Sequence, residues 1–239
     1  AYEMSGSLVG SEMCIRDRLT IENLPDLNET ITVPEDIFEE LTAQDASVAG
    51  FNPYEQPTVR DLLYGVLLPS GADACETLAR AVGGSEEGFV AMMNQKAEEL
   101  GLTNTHFENC TGLHNDNHYS TCRDIAVLMS ECLKSDTFRE IVTREVYTTE
   151  ATASHPEGIT LYDTMLHRFT SYEMSTTLEN GAVIKGGKTG FTDEAGQCLV
   201  SFAEYGGEEY ILVTAEAMTD SGSAVDSIAD ASTVYGRLQ

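Results

Sequence analysis

The stretch IKGGKTGFTDEAG, residues 184–196, gathers the side chains with the most chemical potential in this sequence. A lysine followed by a hydroxyl and flanked by glycines, as in Gly187-Lys188-Thr189-Gly190, serves either to grip a phosphate or to line a pocket for a peptide carboxylate. The phosphate reading needs a strand, a flexible glycine loop and then a helix. Here Ala182 replaces the first glycine of that loop, β-branched Val183 and Ile184 lie inside it, and Thr192–Gly196 reads as a turn into another strand. A metal site drawn from His114 and His118, with Asp116 between them and His106 nearby, lacks the general-base glutamate of H-E-x-x-H and falls in a segment too rich in Asn, Gly and His to be a helix. No metal is therefore expected. Acyl transfer asks for a hydroxyl, a base, an oxyanion hole and a cation for a terminal carboxylate. Lys188 on a strand edge supplies the positive field, Thr189 a hydroxyl, and Gly187 and Gly190 room for a substrate backbone. Ser70, exposed at the helix break Pro69-Ser70-Gly71, is placed to relay a proton.

The elements that must position these groups are marked by caps and periodicity. Leu19 onward reads as the end of a helix, followed by a turn at Pro25 and Asn28, a short strand at Thr30–Val33, and a short element opened by Pro34. Thr58 caps a helix that breaks near Pro69, and a second piece stops at Gly83-Gly84. Ser85 caps the next helix, whose face of Phe89, Met93, Ala97 and Leu100 ends at Gly101. After a long loop, Ser120 is expected to cap a helix through about Leu133, followed by a helical patch near Phe138–Thr143 and a loop around Pro156. Then the pattern changes to strands in GAVIKGGKTGF, QCLVSFAEY and EEYILVTAEAM, the last two joined as a hairpin by Gly206-Gly207, and the tail SAVDSIADASTVYGRL closes with a helix. Helices first, then antiparallel strands, predict an α+β fold with an antiparallel sheet packed against helices.

Composition narrows the partners. In 239 residues, forty acidic against thirteen basic side chains give a formal charge of −27, which repels a phosphate backbone, so no nucleic acid partner is expected. No run reaches the roughly 18 apolar residues of a membrane helix, and the opening AYEMSGSLVGSEMC lacks the pattern of a secretory signal. The six cysteines form no C-x-x-C pair and read as buried free thiols.

With these residues in place, the chain from Leu19 to Gln239 resembles the D-alanyl-D-alanine carboxypeptidases, the low-molecular-mass penicillin-binding proteins. Besides Lys188–Gly190 in GGKTGFTDEAGQCLVSFA, the matching stretches are TVRDLLYGVLLPSGADA, SEEGFVAMMNQKAEELGLTNTHFEN and GLHNDNHYSTCRDIAVL. The resemblance implies a β-lactamase/transpeptidase-like fold with Lys188–Gly190 on the edge strand facing the cleft. It further implies the Phe191 backbone N–H as an oxyanion donor, and Ser70 as the first residue of a Ser-x-Asn motif. The implied reaction is serine-type removal of the last D-alanine from a peptidoglycan stem peptide through an acyl-enzyme. β-Lactams are the implied inhibitors, no cofactor is required, and the intact parent would work outside the cytoplasm at the cell envelope, reaching a membrane only through segments this chain lacks.

Two departures qualify that picture. The asparagine expected after Ser70-Gly71 is Ala72. No Ser-x-x-Lys occurs anywhere, since the residues three before Lys96, Lys134, Lys185 and Lys188 are Met93, Glu131, Ala182 and Lys185. The segment SGSLVGSEMCIRDR, residues 5–18, matches no element of the family and resembles translated adapter read-through. Residues 1–18 are therefore expected to be a non-native tail and 19–239 a partial catalytic domain, lacking the first strands and the nucleophile helix and inactive as given. The competing expectation is a non-catalytic peptidoglycan-binding or scaffold relative.

Overall fold

The computed structural model of the protein describes residues 12–193, 195–217 and 225–239. Seven helices come first: α1 (Glu12–Asn23), α2 (Ile37–Ala43), α3 (Val59–Leu67), α4 (Ala72–Gly83), α5 (Glu86–Glu99), α6 (Cys122–Cys132) and α7 (Asp136–Val142). A short hairpin of β1 (Val146–Thr148) and β2 (Thr160–Tyr162) leads into α8 (Leu166–Ser171). The main sheet follows as β3 (Val183–Thr192), β4 (Gly196–Tyr205) and β5 (Glu208–Ala217), and α9 (Asp226–Tyr235) closes the fold.

Local chemistry sets most boundaries. Thr58 and Asp61 form a reciprocal capping box on α3, the Thr58 Oγ accepting from the Asp61 amide at 3.1 Å while the Asp61 carboxylate accepts from the Thr58 amide at 3.2 Å. Gly84, at φ +75°, ends α4 in the left-handed conformation, and Ser85 then caps α5 through the Gly88 amide at 3.1 Å. The cap of α6 is Thr121, which accepts from the Asp124 amide at 3.1 Å, and not Ser120 as the sequence suggested. Ser120 is buried instead, its hydroxyl 2.9 Å from that of Thr105 across the long loop. The strand expected at Thr30–Val33 makes only a single bridge, Thr30 to Thr58; the facing segment runs alongside, with Ile31 N–H donating to the Pro57 carbonyl at 3.0 Å and Val33 N–H to the Glu55 carbonyl at 2.9 Å, but Pro57 has no N–H to complete the ladder.

The sheet is antiparallel in the order β3-β4-β5, with Lys188 opposite Val200 and Thr189 opposite Leu199. The β4–β5 turn is Gly206-Gly207, at φ +62° and +86°, the positive angles a two-residue hairpin turn requires. Both faces are apolar. Val200 and Phe202 point into a core shared with α1 and α3–α7, while Leu199 and Ala203 point into a second core with α8 and α9. Residues 12–18, expected from the sequence to belong to a non-native tail, are helical here and run into Leu19. Cys14, Ile15, Arg16, Asp17 and Leu19 are all buried within the helical layer. Residues 1–11 of the expected tail, and the start of the stretch proposed to close with a helix, lie outside the described residues. All six cysteines are free thiols, five of them buried.

A strap over the start of α4 fixes the turn that carries Ser70. The buried Asp73 carboxylate accepts from the amides of Ala49 (2.7 Å), Gly50 (2.9 Å), Phe51 (2.9 Å) and Ala74 (3.0 Å), and the Ala72 amide donates to the Ser47 carbonyl at 2.8 Å. Removing a carboxylate with that many buried donors leaves the amides unsatisfied, so Asp73→Ala should cost on the order of 3 kcal/mol. Urea denaturation would read this as a lowered midpoint, with Asp73→Asn falling in between.

Candidate active site

Ser70 sits at φ +63°, a backbone conformation that L-residues other than glycine seldom adopt. Neighbouring backbone holds it there: Gly71 N–H donates to the Gly65 carbonyl at 2.9 Å, and Thr164 N–H to the Leu68 carbonyl at 3.2 Å. Across from this turn runs β3. The Lys188 ammonium donates to the Ser70 hydroxyl in a short hydrogen bond and to the Thr189 carbonyl at 2.8 Å, with the lysine only 4% exposed. Thr189 Oγ1 donates to Thr164 Oγ1 at 2.7 Å. The sequence-predicted pair Ser70 and Lys188, separated by 118 positions, is thus in direct contact.

The glycines divide. Gly190 is half-buried and lines the cleft, whereas Gly187 is buried against the neighbouring strand. A β-carbon on Gly187 would lie 2.3 Å from the Val200 carbonyl oxygen and 2.9 Å from the Met165 sulfur, so its missing side chain serves sheet packing and not the approach of a substrate backbone. Phe191 follows on β3 opposite Gln197, its ring 61% exposed at the rim.

Thr164 and Arg168 complete the wall, with Asp163 buried behind it, and none of the three is singled out by the sequence. Asp163 Oδ1 accepts from the amides of Met165 (2.9 Å) and Leu166 (2.6 Å), which sets up α8. Burial pushes the Asp163 carboxyl up to about 7, against the opposing pull of those amides and the Lys188 charge. Burial likewise pulls the Lys188 ammonium down to about 8, with Asp163 and Glu12 opposing the fall and Arg16 and Arg168 adding to it. The available sequence signal is an acid, Asp163, two positions before the apolar pair Met165-Leu166.

These groups line a cleft of about 280 Å³ between the Ser47 strap, the Ser70 turn, residues 111–113, α8 and β3. From the far side α1 contributes Glu12 and Arg16. The Arg16 guanidinium is fully buried, donating to Cys75 Sγ at 2.9 Å and to the Cys110 carbonyl at 2.8 Å. Ala72 also lines the cleft, in place of a side-chain amide.

The alternative chemistries find no support in the geometry. The would-be phosphate loop is the strand β3 itself. Of the histidines, His118 is buried, accepting from the Glu108 amide at 3.4 Å, while His114 lies at the surface 3.3 Å from Asp116 and His106 3.0 Å from Glu108. Among the described residues the one cluster with metal-type ligand atoms is Glu76, Glu86 and Cys110, which contains no histidine.

Against known proteins, the peptidase S11 family, D-alanyl-D-alanine carboxypeptidase, matches residues 15–219. The chain is 36% identical over 168 residues to the D-alanyl-D-alanine carboxypeptidase DacF of Bacillus subtilis, a match covering 70% of this chain and 40% of the relative. It is 35% identical over 191 residues to a Streptomyces D-alanyl-D-alanine carboxypeptidase, covering 77% and 63%. The crystal structure of a Streptomyces DD-transpeptidase superposes with a TM-score of 0.80 at 30% identity, over 97% of this chain and 87% of that one. An antiparallel sheet flanked by helices, a β-lactamase/transpeptidase-like fold, is the architecture this likeness covers. The chain belongs to the D-alanyl-D-alanine carboxypeptidase family, and its matches span less than two thirds of those two relatives' lengths.

Gly187 gives a direct check on how tightly the edge strand is set. Gly187→Ala should drive β3 away from β4 and cost on the order of 2–3 kcal/mol, visible as a lower thermal midpoint. A neutral substitution would mean the strand is loosely seated.

Proposed function

We propose that this chain carries the carboxylate-recognition wall of a serine-type D-alanyl-D-alanine carboxypeptidase, with a peptidoglycan stem peptide ending in D-Ala-D-Ala as its ligand and β-lactams as mimics. The observation that carries the reading is the buried Lys188 ammonium, bonded to Ser70 in a cleft that also presents the Thr189 hydroxyl. In this reading Lys188 supplies the positive field and Thr189 donates to the terminal carboxylate. The Phe191 amide faces the developing oxyanion, while Gly190 leaves the substrate backbone room. Ser70 passes a proton between Lys188 and the leaving amine. The cell envelope, outside the cytoplasm, is where such a substrate occurs. Among the described residues no helix is long and apolar enough to cross a membrane.

Acylation needs a nucleophile with a base beside it. The sequence contains no Ser-x-x-Lys, and α1 turns Glu12 and Arg16 toward the cleft. The chain as given therefore binds without turning over. That second feature, together with Ala72, favours a non-catalytic peptidoglycan-binding relative as the alternative to a partial enzyme, and the two share the same recognition wall.

Titration with N-acetyl-D-alanyl-D-alanine is expected to give millimolar or tighter binding, reduced about tenfold or more in Lys188→Ala, and a fluorescent penicillin should leave no covalent label. Absence of peptide binding would sink the recognition reading. Robust labelling at a serine would sink the claim that this chain cannot be acylated.

A further inference from the structure

Glu76, Glu86 and Cys110 have no part in the cleft described above. They come from three segments: Glu76 from the first half of α4, Glu86 from the first turn of α5, and Cys110 from the long loop before α6. Glu76 and Cys110 are buried, and Glu86 is partly so. Two carboxylate oxygens and the sulfur, one atom from each residue, lie within 4.8 Å of one another. Cys110 draws the group together, its thiol donating to Glu76 Oε1 at 3.4 Å and its amide to Glu86 Oε1 at 3.1 Å.

Two carboxyls in contact away from bulk water pose a charge problem. Glu76 and Glu86 hydrogen-bond to each other, and two carboxylates can do so only with a proton between them. That proton or a cation must offset their repulsion. Arg80 offsets part of it: its Nε lies 3.6 Å from Glu76 Oε2, while its Nη1 pairs with Asp36 at 2.6 Å. Beside the group is a cavity of about 510 Å³, whose walls include Glu40, Glu76, Glu86 and Glu108 with Arg80 and His114. Its acids outnumber its bases, so its field attracts cations. From α1, the Arg16 guanidinium donates to the Cys110 carbonyl at 2.8 Å and fixes the residue whose sulfur completes the set.

The donor set selects the ion. Mg²⁺ and Ca²⁺ take oxygen ligands, whereas a thiolate with two carboxylates suits a borderline-soft divalent ion. Zinc-type bonds of roughly 2.0–2.3 Å at tetrahedral angles put ligand atoms about 3.3–3.8 Å apart. Cys110 Sγ and Glu76 Oε1 already stand at 3.4 Å, so small carboxylate rotations close the rest. We propose that Glu76, Glu86 and Cys110 bind one zinc-type divalent cation, each giving one ligand atom, with a water from the cavity in the fourth position. The ion displaces two protons to solvent, the thiol proton of Cys110 and the one held between the carboxyls. Bound there, it ties α4 and α5 to the loop whose next residues, Thr111, Gly112 and Leu113, line the cleft.

The full chain, treated with a chelator and desalted, is titrated with Co²⁺ read by absorption and with Zn²⁺ read by calorimetry. One equivalent is expected to bind, with a thiolate-to-cobalt charge-transfer band, and Zn²⁺ should displace the Co²⁺ and raise the thermal midpoint. Cys110→Ser should abolish the band, and Glu76→Gln and Glu86→Gln should each weaken binding about tenfold or more. Cys122→Ser, on α6, should change neither. Circular dichroism checks the fold of each variant, and the two glutamine variants decide the matter if Cys110→Ser does not fold. Absence of binding, a band that survives Cys110→Ser, or an affinity indifferent to Glu76→Gln and Glu86→Gln overturns the proposal.

Discussion

Burying the ammonium of Lys188 is the constraint around which the cleft is organised. An unpaired charge taken out of water costs several kcal/mol, so every element near it must offer compensation. The turn between α3 and α4 gives the Ser70 hydroxyl, β3 gives the Thr189 carbonyl, and the start of α8 gives the Asp163 carboxylate as a countercharge. Three segments distant in sequence are thereby brought to one point. The left-handed Ser70 is part of the same arrangement: in that conformation its hydroxyl meets Lys188 on β3 just before α4 begins at Ala72.

Buried carboxylates serve as the joints of this scaffold. Asp73 ties the strap before α3 to the first turn of α4. Asp61 does the same for the β1–β2 hairpin: besides capping α3 it accepts from the Tyr147 hydroxyl at 2.9 Å and the Glu150 amide at 3.1 Å, while the Tyr147 ring stacks on Tyr64 with centroids 3.7 Å apart. Each acid satisfies donors on a second segment, so these loops are held by charge-assisted hydrogen bonds in addition to apolar packing.

What could be read from the sequence was whatever local chemistry dictates. Thr58 and Ser85 as caps, Gly84 and Gly101 as stops and Gly206-Gly207 as a hairpin turn depend on neighbours a few positions away, and so does the alternation along β4. Lys188 and Ser70 were legible as candidates because their residue types and surroundings are unusual for the elements they sit in. Asp163, Thr164 and Arg168 were not, because α8 is only six residues long and their meaning comes from contact with a strand that begins some twenty positions later. The helix at residues 12–18 was hidden for a different reason. Its Arg16 and Asp17 carry no apolar stripe, and their burial depends on each other and on Cys75 and Cys110. Gly187 was assigned to the ligand when its real demand comes from β4, a distinction that spacing along one strand does not contain.

The whole cleft depends on Lys188 being buried at a point of opposing charges. An NMR titration of its ε-amine, with the resonance assigned by its loss in Lys188→Arg, measures this directly. Burial predicts a midpoint near 8, so that the cation is present at neutral pH and lost as pH rises past that value. A midpoint at the ordinary lysine value of about 10.4 would mean that the ammonium is solvated and that the cleft is not built around it.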